Sequence, residues 1–136
     1  MRQLRIVLAE DQPQVLHFLK LFQQPNYDVV AAVHDRQDLM TAAKVMKPDI
    51  VVMDLDMPRF DGIRVIPRIH NIVPDCRVIL KSSHADPESM VAAYDAGASA
   101  YLVKCGSPSL MMTLRAVIDY PKATRQWDTV LSNEPR

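Results

Sequence analysis

One stretch limits the fold of this chain more than any other. It begins with the three apolar residues Val51, Val52 and Met53, which lead directly into Asp54, and Pro58 follows soon after. A short apolar run closed by a turn signal is typical of a strand buried on both faces, as in a parallel sheet. Asp54 is therefore expected at the carboxyl end of that strand, where ligands bind in open α/β sheets. Taken alone, Asp54 fits a turn residue as well as a nucleophile or metal ligand.

Apolar runs of strand character alternate along the chain with segments of helical spacing. This alternation predicts an α/β fold with a parallel sheet, helices on both faces and right-handed crossovers. No glycine-rich dinucleotide or P-loop motif follows any strand, which argues against those two folds. We expect a flavodoxin-like, doubly wound (βα)5 sandwich with sheet order 2-1-3-4-5, an order taken over from known folds of this class. The predicted strands are 4–9, 28–33, 50–53, 77–81 and 100–103, each followed by a helix.

Length and charge narrow the classes of function. The 136 residues fit one domain, and sixteen basic residues balance sixteen acidic ones. That balance gives no reason to expect wholesale binding to nucleic acid or to an anionic membrane. No apolar run approaches the roughly 18 residues of a membrane span, and no signal peptide is expected. The two cysteines form no CxxC pair, so a reducing cytoplasm is the simple interpretation.

Polar side chains follow four of the predicted strands at their carboxyl ends, and these ends share one edge of a parallel sheet. Clustered carboxylates repel by about 4 kcal/mol at a separation of about 4 Å and an effective dielectric constant of about 20. A hard divalent cation between the carboxylates turns this repulsion into a net attraction. A site made only of oxygen ligands suits Mg²⁺. Two simpler roles stay open, namely capping of the first helix by the acidic pair and a plain surface position for the lysine. The residues concerned are Glu10, Asp11, Asp54, Ser82 and Lys104.

These residues, the D-x-x-M-P pattern that starts at Asp54 and the run from Tyr101 to Lys104 resemble the receiver domain of two-component response regulators. The resemblance implies that Asp54 is the phosphoacceptor and that Mg²⁺ is the cofactor. It implies that Lys104 and the Ser82 hydroxyl bind the phosphoryl group and that Tyr101 is the switch aromatic. The metal ligands that it implies are Glu10, Asp11, Asp54 and the backbone carbonyl of Asp56.

The function that this resemblance implies is a signalling switch and not a metabolic enzyme. A sensor histidine kinase would phosphorylate Asp54, and the surface of the fourth helix, fifth strand and fifth helix would then change. Dimers are expected through that surface or through the first and fifth helices. Cys105 and Gly106 after Lys104 resemble the LuxR-type (nitrate-regulator-like) branch, whose members usually carry a DNA-binding domain beyond the receiver. We assign 1–120 to the receiver and 121–136 to a C-terminal tail or the start of a linker.

Some positions depart from the family pattern. Lys81 is usually apolar in this family, and strand alternation points it away from Ser82, so we expect it on the rim. Pro67 should kink or weaken the third predicted helix. The resemblance makes Asp56 and His84 candidates for tuning dephosphorylation, although His84 also fits an exposed loop residue.

Two other functions remain open. One is a receiver-like interaction module that is never phosphorylated. The other is a phosphatase of the haloacid-dehalogenase type, which would use the pair Asp54 and Asp56 but would leave Glu10 and Asp11 unexplained.

Overall fold

A computed structural model describes residues 3–11, 15–16, 19–20, 22–57, 61–104, 112 and 116–117. The first and fifth predicted helices and the predicted tail lie wholly or largely outside these residues. The strands are β1 (Leu4–Ala9), β2 (Tyr27–Val33), β3 (Ile50–Asp54), β4 (Arg77–Ser82) and β5 (Ala100–Val103). The helices, which correspond to the second, third and fourth predicted ones, are α1 (Arg36–Met46), α2 (Gly62–Ile72) and α3 (Pro87–Ala96).

All strand pairs are parallel, and the sheet has the order β2-β1-β3-β4-β5. The predicted α/β, flavodoxin-like fold and strand order are therefore confirmed. Every strand lies within one residue of its predicted bounds, because turn and cap residues end each apolar run.

The core lies on both faces of the sheet. One layer joins alternate strand residues such as Val51 and Met53 to the helices α1, α2 and α3. The other layer contains Ile6, Leu8 and Val52 together with Phe22 and Val117. Strand β3 is fully buried on both faces, as its unbroken apolar run predicts.

An aspartate caps the start of each described helix. Asp35, Asp61 and Asp86 each accept a hydrogen bond from the backbone N–H three residues later. These caps satisfy N–H groups that have no partner inside the helix, so each helix begins at a defined residue after its strand. Helix α2 continues through the exposed Pro67 to Ile72, so this proline does not end it.

Helix α3 ends at Gly97, whose φ of 113° lies in the left-handed region. A Cβ atom at this position would come within 2.9 Å of the ring of His70. Both facts require glycine at this position, where the end of α3 approaches His70 of α2. No helix in the described part of the chain is long and apolar enough to cross a membrane.

Candidate functional site

The candidate site lies at the carboxyl edge of the sheet. Asp54 and Ser82 are the last residues of β3 and β4, while Glu10 and Lys104 directly follow β1 and β5. Since all these strands are parallel and adjacent, their ends meet at one edge. The sheet thus brings together side chains that are far apart in the sequence.

Asp54 and Lys104 form the central contact of the site. Lys104 Nζ lies 2.8 Å from Asp54 Oδ2, and the Asp56 backbone N–H donates to Asp54 Oδ1 at 2.8 Å. The Asp54 side chain is 4% exposed, whereas that of Lys104 is 34% exposed. Both carboxylate oxygens of Asp54 are thus oriented by donors, and solvent reaches the pair from the lysine side.

Asp56 links the loops after β3 and β4. Its Oδ2 lies 3.0 Å from Lys104 Nζ and accepts a 2.9 Å hydrogen bond from the Ser83 backbone N–H. Burial opposes charge on both partners, but hydrogen bonds outweigh it: Lys104 bonds to Asp54 and Asp56, and Ser83 also donates to Asp56. As a result the pKa of Asp56 is lowered and the pKa of Lys104 is raised. The two groups therefore remain an ion pair over a wide range of pH.

Glu10 is fully buried beside an unexpected partner, Lys81, whose Nζ lies 3.2 Å from Glu10 Oε1. The expectation that Lys81 lies on the rim was wrong, because its side chain is only 10% exposed. Lys81 stands opposite Asp54 in the register of β3 and β4. Strand alternation does point Lys81 away from Ser82, and on that face of the sheet its long side chain reaches Glu10 at the end of β1. There the buried carboxylate attracts it across β3.

Burial dominates the ionisation of Glu10. Desolvation raises its pKa to about 8, and the nearby charge of Asp54 adds to this, while Lys81 opposes it. The Glu10 backbone is fixed as well, because its N–H bonds to Val33 and its carbonyl accepts from His34 Nδ1 at 2.7 Å. Asp11 follows at an exposed position, and its carbonyl accepts from the N–H of Val15.

The carboxylate oxygens at this edge of the sheet are of the chemical type that binds Mg²⁺. Neither side-chain oxygen of the buried Glu10 has a hydrogen-bond partner of good geometry among the described residues. A buried carboxylate without such partners is costly, and a bound cation would relieve that cost. No three His, Cys, Asp or Glu side chains of the described residues are arranged as a formed metal site. Instead, Lys81 contacts Glu10, while Lys104 contacts Asp54 and Asp56.

Ser82 and Tyr101 lie on the other face of the sheet from Lys81, and both are almost fully buried. The backbone of His84 connects them. Its N–H donates to Ser82 Oγ at 3.0 Å, and its carbonyl accepts from Tyr101 Oη at 2.8 Å. Burial also raises the pKa of Tyr101. A movement of the Ser82 hydroxyl would therefore act on Tyr101 through one residue.

Sequence reasoning missed two parts of this arrangement. It gave His84 a role for its side chain, which is exposed, whereas the observed contacts use its backbone. It also left Lys81 out of the site. The available signal was a lysine at the end of a buried strand, directly before a candidate site residue, because buried lysines are almost always paired.

Fold and site together define a flavodoxin-like α/β domain whose carboxyl edge carries an acidic cluster with lysines. The sequence model of the response regulator receiver domain matches residues 6–115. The chain therefore belongs to that family. The resemblance inferred from the strand ends is confirmed.

Similar proteins agree with this assignment. The chain is 34% identical over 116 residues to the transcriptional regulatory protein YhcZ of Bacillus subtilis, covering 84% of this chain and 54% of YhcZ. A LuxR-family response regulator from an Aurantimonas species has a TM-score of 0.78 and 27% identity, with 96% of each chain covered. The receiver domain of the putative regulator NarL from Mycobacterium tuberculosis has a TM-score of 0.73 and 26% identity, covering 91% of this chain and 100% of that one. The similarity to the LuxR and NarL branch is thus confirmed, and the chain spans about half the length of the curated relatives it matches.

Proposed function

We propose that this receiver domain accepts a phosphoryl group on Asp54 from a sensor histidine kinase and transmits the change to an output surface. The observation that carries the proposal is the contact between Asp54 and Lys104. A buried carboxylate has its Oδ2 held 2.8 Å from an ammonium group at the edge of the sheet. Since the lysine side of this pair is open to solvent, a phosphodonor can approach there.

The chemistry follows from the roles of these groups. A carboxylate oxygen of Asp54 attacks the phosphorus atom of the donor, the bond from phosphorus to the donor histidine breaks, and an aspartyl phosphate forms. Lys104 stabilises the negative charge of the transferring oxygens, and the protein contributes mainly positioning. Bound Mg²⁺ would neutralise further charge on those oxygens. The residues proposed to hold it are Glu10, Asp11, Asp54 and the backbone carbonyl of Asp56.

The proposed switch uses Ser82 and Tyr101. New phosphoryl oxygens near Ser82 attract its hydroxyl, which now accepts a bond from His84 N–H. Because Tyr101 bonds to the carbonyl of the same residue, rearrangement at His84 changes the surroundings of Tyr101 on β5 and of the neighbouring α3. Moving an equilibrium from 1:99 to 99:1 requires about 5.5 kcal/mol of preference for the active state.

Asp56 and His84 are proposed to tune the lifetime of the phosphoryl group. Asp56 lies beside Asp54 and shares Lys104 with it. The exposed side chain of His84 lies in the loop after β4. Both positions can affect how an attacking water approaches the phosphorylated aspartate.

We also propose the cellular location, the domain boundaries and the assembly of the protein. The domain would be cytoplasmic, with the receiver at 1–120 and a tail or linker start at 121–136. Dimers would form through α3, β5 and the fifth predicted helix, or through the first and fifth predicted helices. A DNA-binding output domain would lie outside this chain, and the receiver itself would bind no nucleic acid directly.

Intact-mass spectrometry tests the proposal after incubation with Mg²⁺ and, in turn, acetyl phosphate, phosphoramidate and carbamoyl phosphate. We expect one added phosphoryl group on the wild type and none on Asp54→Asn or in EDTA. Asp61→Asn, an exposed cap of α2, is the matched control and should be labelled like the wild type.

The same experiment separates the alternatives. Absence of an adduct with all three donors would contradict the proposal and favour an interaction module that is never phosphorylated. A parallel assay with the phosphoester p-nitrophenyl phosphate tests the remaining alternative. Sustained release of p-nitrophenol would indicate a phosphatase, which the proposal excludes.

A further inference from the structure

We propose that Lys81 is a built-in counter-ion of Glu10 that weakens the binding of a divalent cation at the acidic edge of the sheet. This inference rests on the proposed function, in which Mg²⁺ binds there. It adds a positioning residue, supplied by β4, that acts through Glu10.

The geometry of the pair carries the inference. Lys81 Nζ lies 3.2 Å from Glu10 Oε1, and the two side chains are 10% and 0% exposed. Strand β3 lies between β1 and β4, so the lysine reaches across the strand that ends in Asp54. The ammonium group of Lys81 is largely removed from water. Its contact with Glu10 therefore replaces the solvation that it loses by burial.

The charges at the carboxyl edge of the sheet show the effect of the contact between Lys81 and Glu10. Glu10, Asp54 and Asp56 contribute three carboxylates that contact the lysines of this edge, and the exposed Asp11 follows Glu10 in the chain. Lys104 is within 3.0 Å of two of them, those of Asp54 and Asp56. Lys81 supplies the second positive charge, at the carboxylate whose oxygens lack hydrogen bonds of good geometry among the described residues.

A cation that binds Glu10 must therefore compete with Lys81. Either the ammonium group leaves Glu10, which costs the contact of a buried ion pair, or it stays and repels the incoming cation. Both routes reduce the affinity for the cation. An apolar residue at position 81 would leave an ionised Glu10 without this competing ammonium group.

The same argument predicts the state of the metal-free protein. With Lys81 in place, the buried Glu10 has a counter-ion before any metal binds. Without it, an ionised Glu10 loses this counter-ion in the metal-free fold, so binding of a cation should raise the thermal stability more than it does in the wild type.

Titration calorimetry with MgCl₂ tests the inference on the full chain, together with the melting temperature with and without Mg²⁺. Lys81→Met should bind Mg²⁺ at least about fivefold more tightly than the wild type and show a larger Mg²⁺-dependent rise in melting temperature. Lys81→Arg, which keeps the charge, should stay within about twofold of the wild type. Lys44→Met on the exposed side of α1 is the matched control and should behave as the wild type.

A second neutral variant protects the test from a folding failure. Lys81→Gln can still donate a hydrogen bond to Glu10, so it should fold if Lys81→Met does not, and it should also bind Mg²⁺ more tightly. Equal or weaker Mg²⁺ affinity in the folded neutral variants would overturn the inference while leaving the proposed function intact. Absence of Mg²⁺ binding in the wild type and in both neutral variants would overturn the metal assignment, and the inference with it.

Discussion

Tyr101 Oη donates a 2.8 Å hydrogen bond to the backbone carbonyl of His84 from an almost fully buried position. The same residue uses its N–H to bond the Ser82 hydroxyl. The side chains of Ser82 and Tyr101 therefore bond to the N–H and the carbonyl of the same residue. A change at Ser82 can reach Tyr101 on β5 through the backbone of His84.

Removing only the hydroxyl of Tyr101 tests the strength of this tie. Tyr101→Phe should lower the free energy of unfolding by about 1 kcal/mol, because one buried hydrogen bond is lost while the ring remains. Urea unfolding monitored by circular dichroism measures the difference. The matched control is Tyr27→Phe, whose ring packs against Phe22 on the other face of the sheet. Unchanged stability of Tyr101→Phe would mean that the contact contributes nothing.

The role of the Ser82 hydroxyl separates phosphorylation from its consequence. Ser82→Ala should still be phosphorylated, but the amide signals of α3 and β5 should no longer shift, because the hydroxyl that follows the phosphoryl group is missing. Two-dimensional NMR of both states measures this. Thr41→Ala, which removes a hydroxyl from an exposed position of α1 far along the chain from the site, is the control. A spectrum of phosphorylated Ser82→Ala identical to that of the wild type would refute the proposed coupling.

Asp11 tests the metal assignment. Asp11→Asn should weaken Mg²⁺ binding on the order of tenfold or more and slow phosphorylation in parallel, because one full charge near a divalent cation is lost. Calorimetry gives the affinity and mass spectrometry gives the labelling rate. Asp38→Asn, in the first turn of α1, serves as the control. If the Mg²⁺ affinity of Asp11→Asn were that of the wild type, Asp11 would not be a ligand.

Gly97 tests the junction of α2 and α3. Gly97→Ala should destabilise the fold by about 1–3 kcal/mol, since it adds a Cβ atom to a left-handed backbone and meets the ring of His70. Chemical unfolding of Gly97→Ala, His70→Ala and the double variant separates the steric contribution to the loss of stability from the conformational one. The double variant should recover the steric part and keep the conformational part. Full additivity of the two single changes would show that the ring does not oppose the new atom.

The cap of α3 gives a pH dependence with a defined sign. Hydrogen bonds from Ser89 lower the pKa of Asp86 in the folded state. A lowered pKa stabilises the fold above the unfolded-state pKa and loses this contribution as the pH falls through the folded-state value. The difference in melting temperature between the wild type and Asp86→Ala should therefore be largest near pH 7 and shrink below about pH 4. Val91→Ala, an exposed change in the same helix that removes no titratable group, should show no such convergence.

The sequence was sufficient for the framework of this domain. Apolar runs and cap residues located the strands within one residue, and the polar residues that follow them meet at one edge because the strands are parallel. Lys81 could not be placed in the same way. Alternation along one strand gives the face on which a side chain lies, but its partner depends on which strands are neighbours and on how far a long side chain reaches across them. The bonds of the His84 backbone depend on the path of a loop, for which the sequence has no periodic signal.

The order of the strands also determines when the site becomes complete as the chain is made. Asp54 and Lys104 are fifty residues apart, so at about 5–20 residues per second the ribosome adds the lysine about 3–10 s after the aspartate. Lys81 is added earlier and follows Glu10 in a strand that pairs directly with β3. The lysine that contacts Glu10 is therefore synthesised before the lysine that contacts Asp54. A chain on which synthesis has not passed β5 lacks the ammonium group that contacts both Asp54 and Asp56.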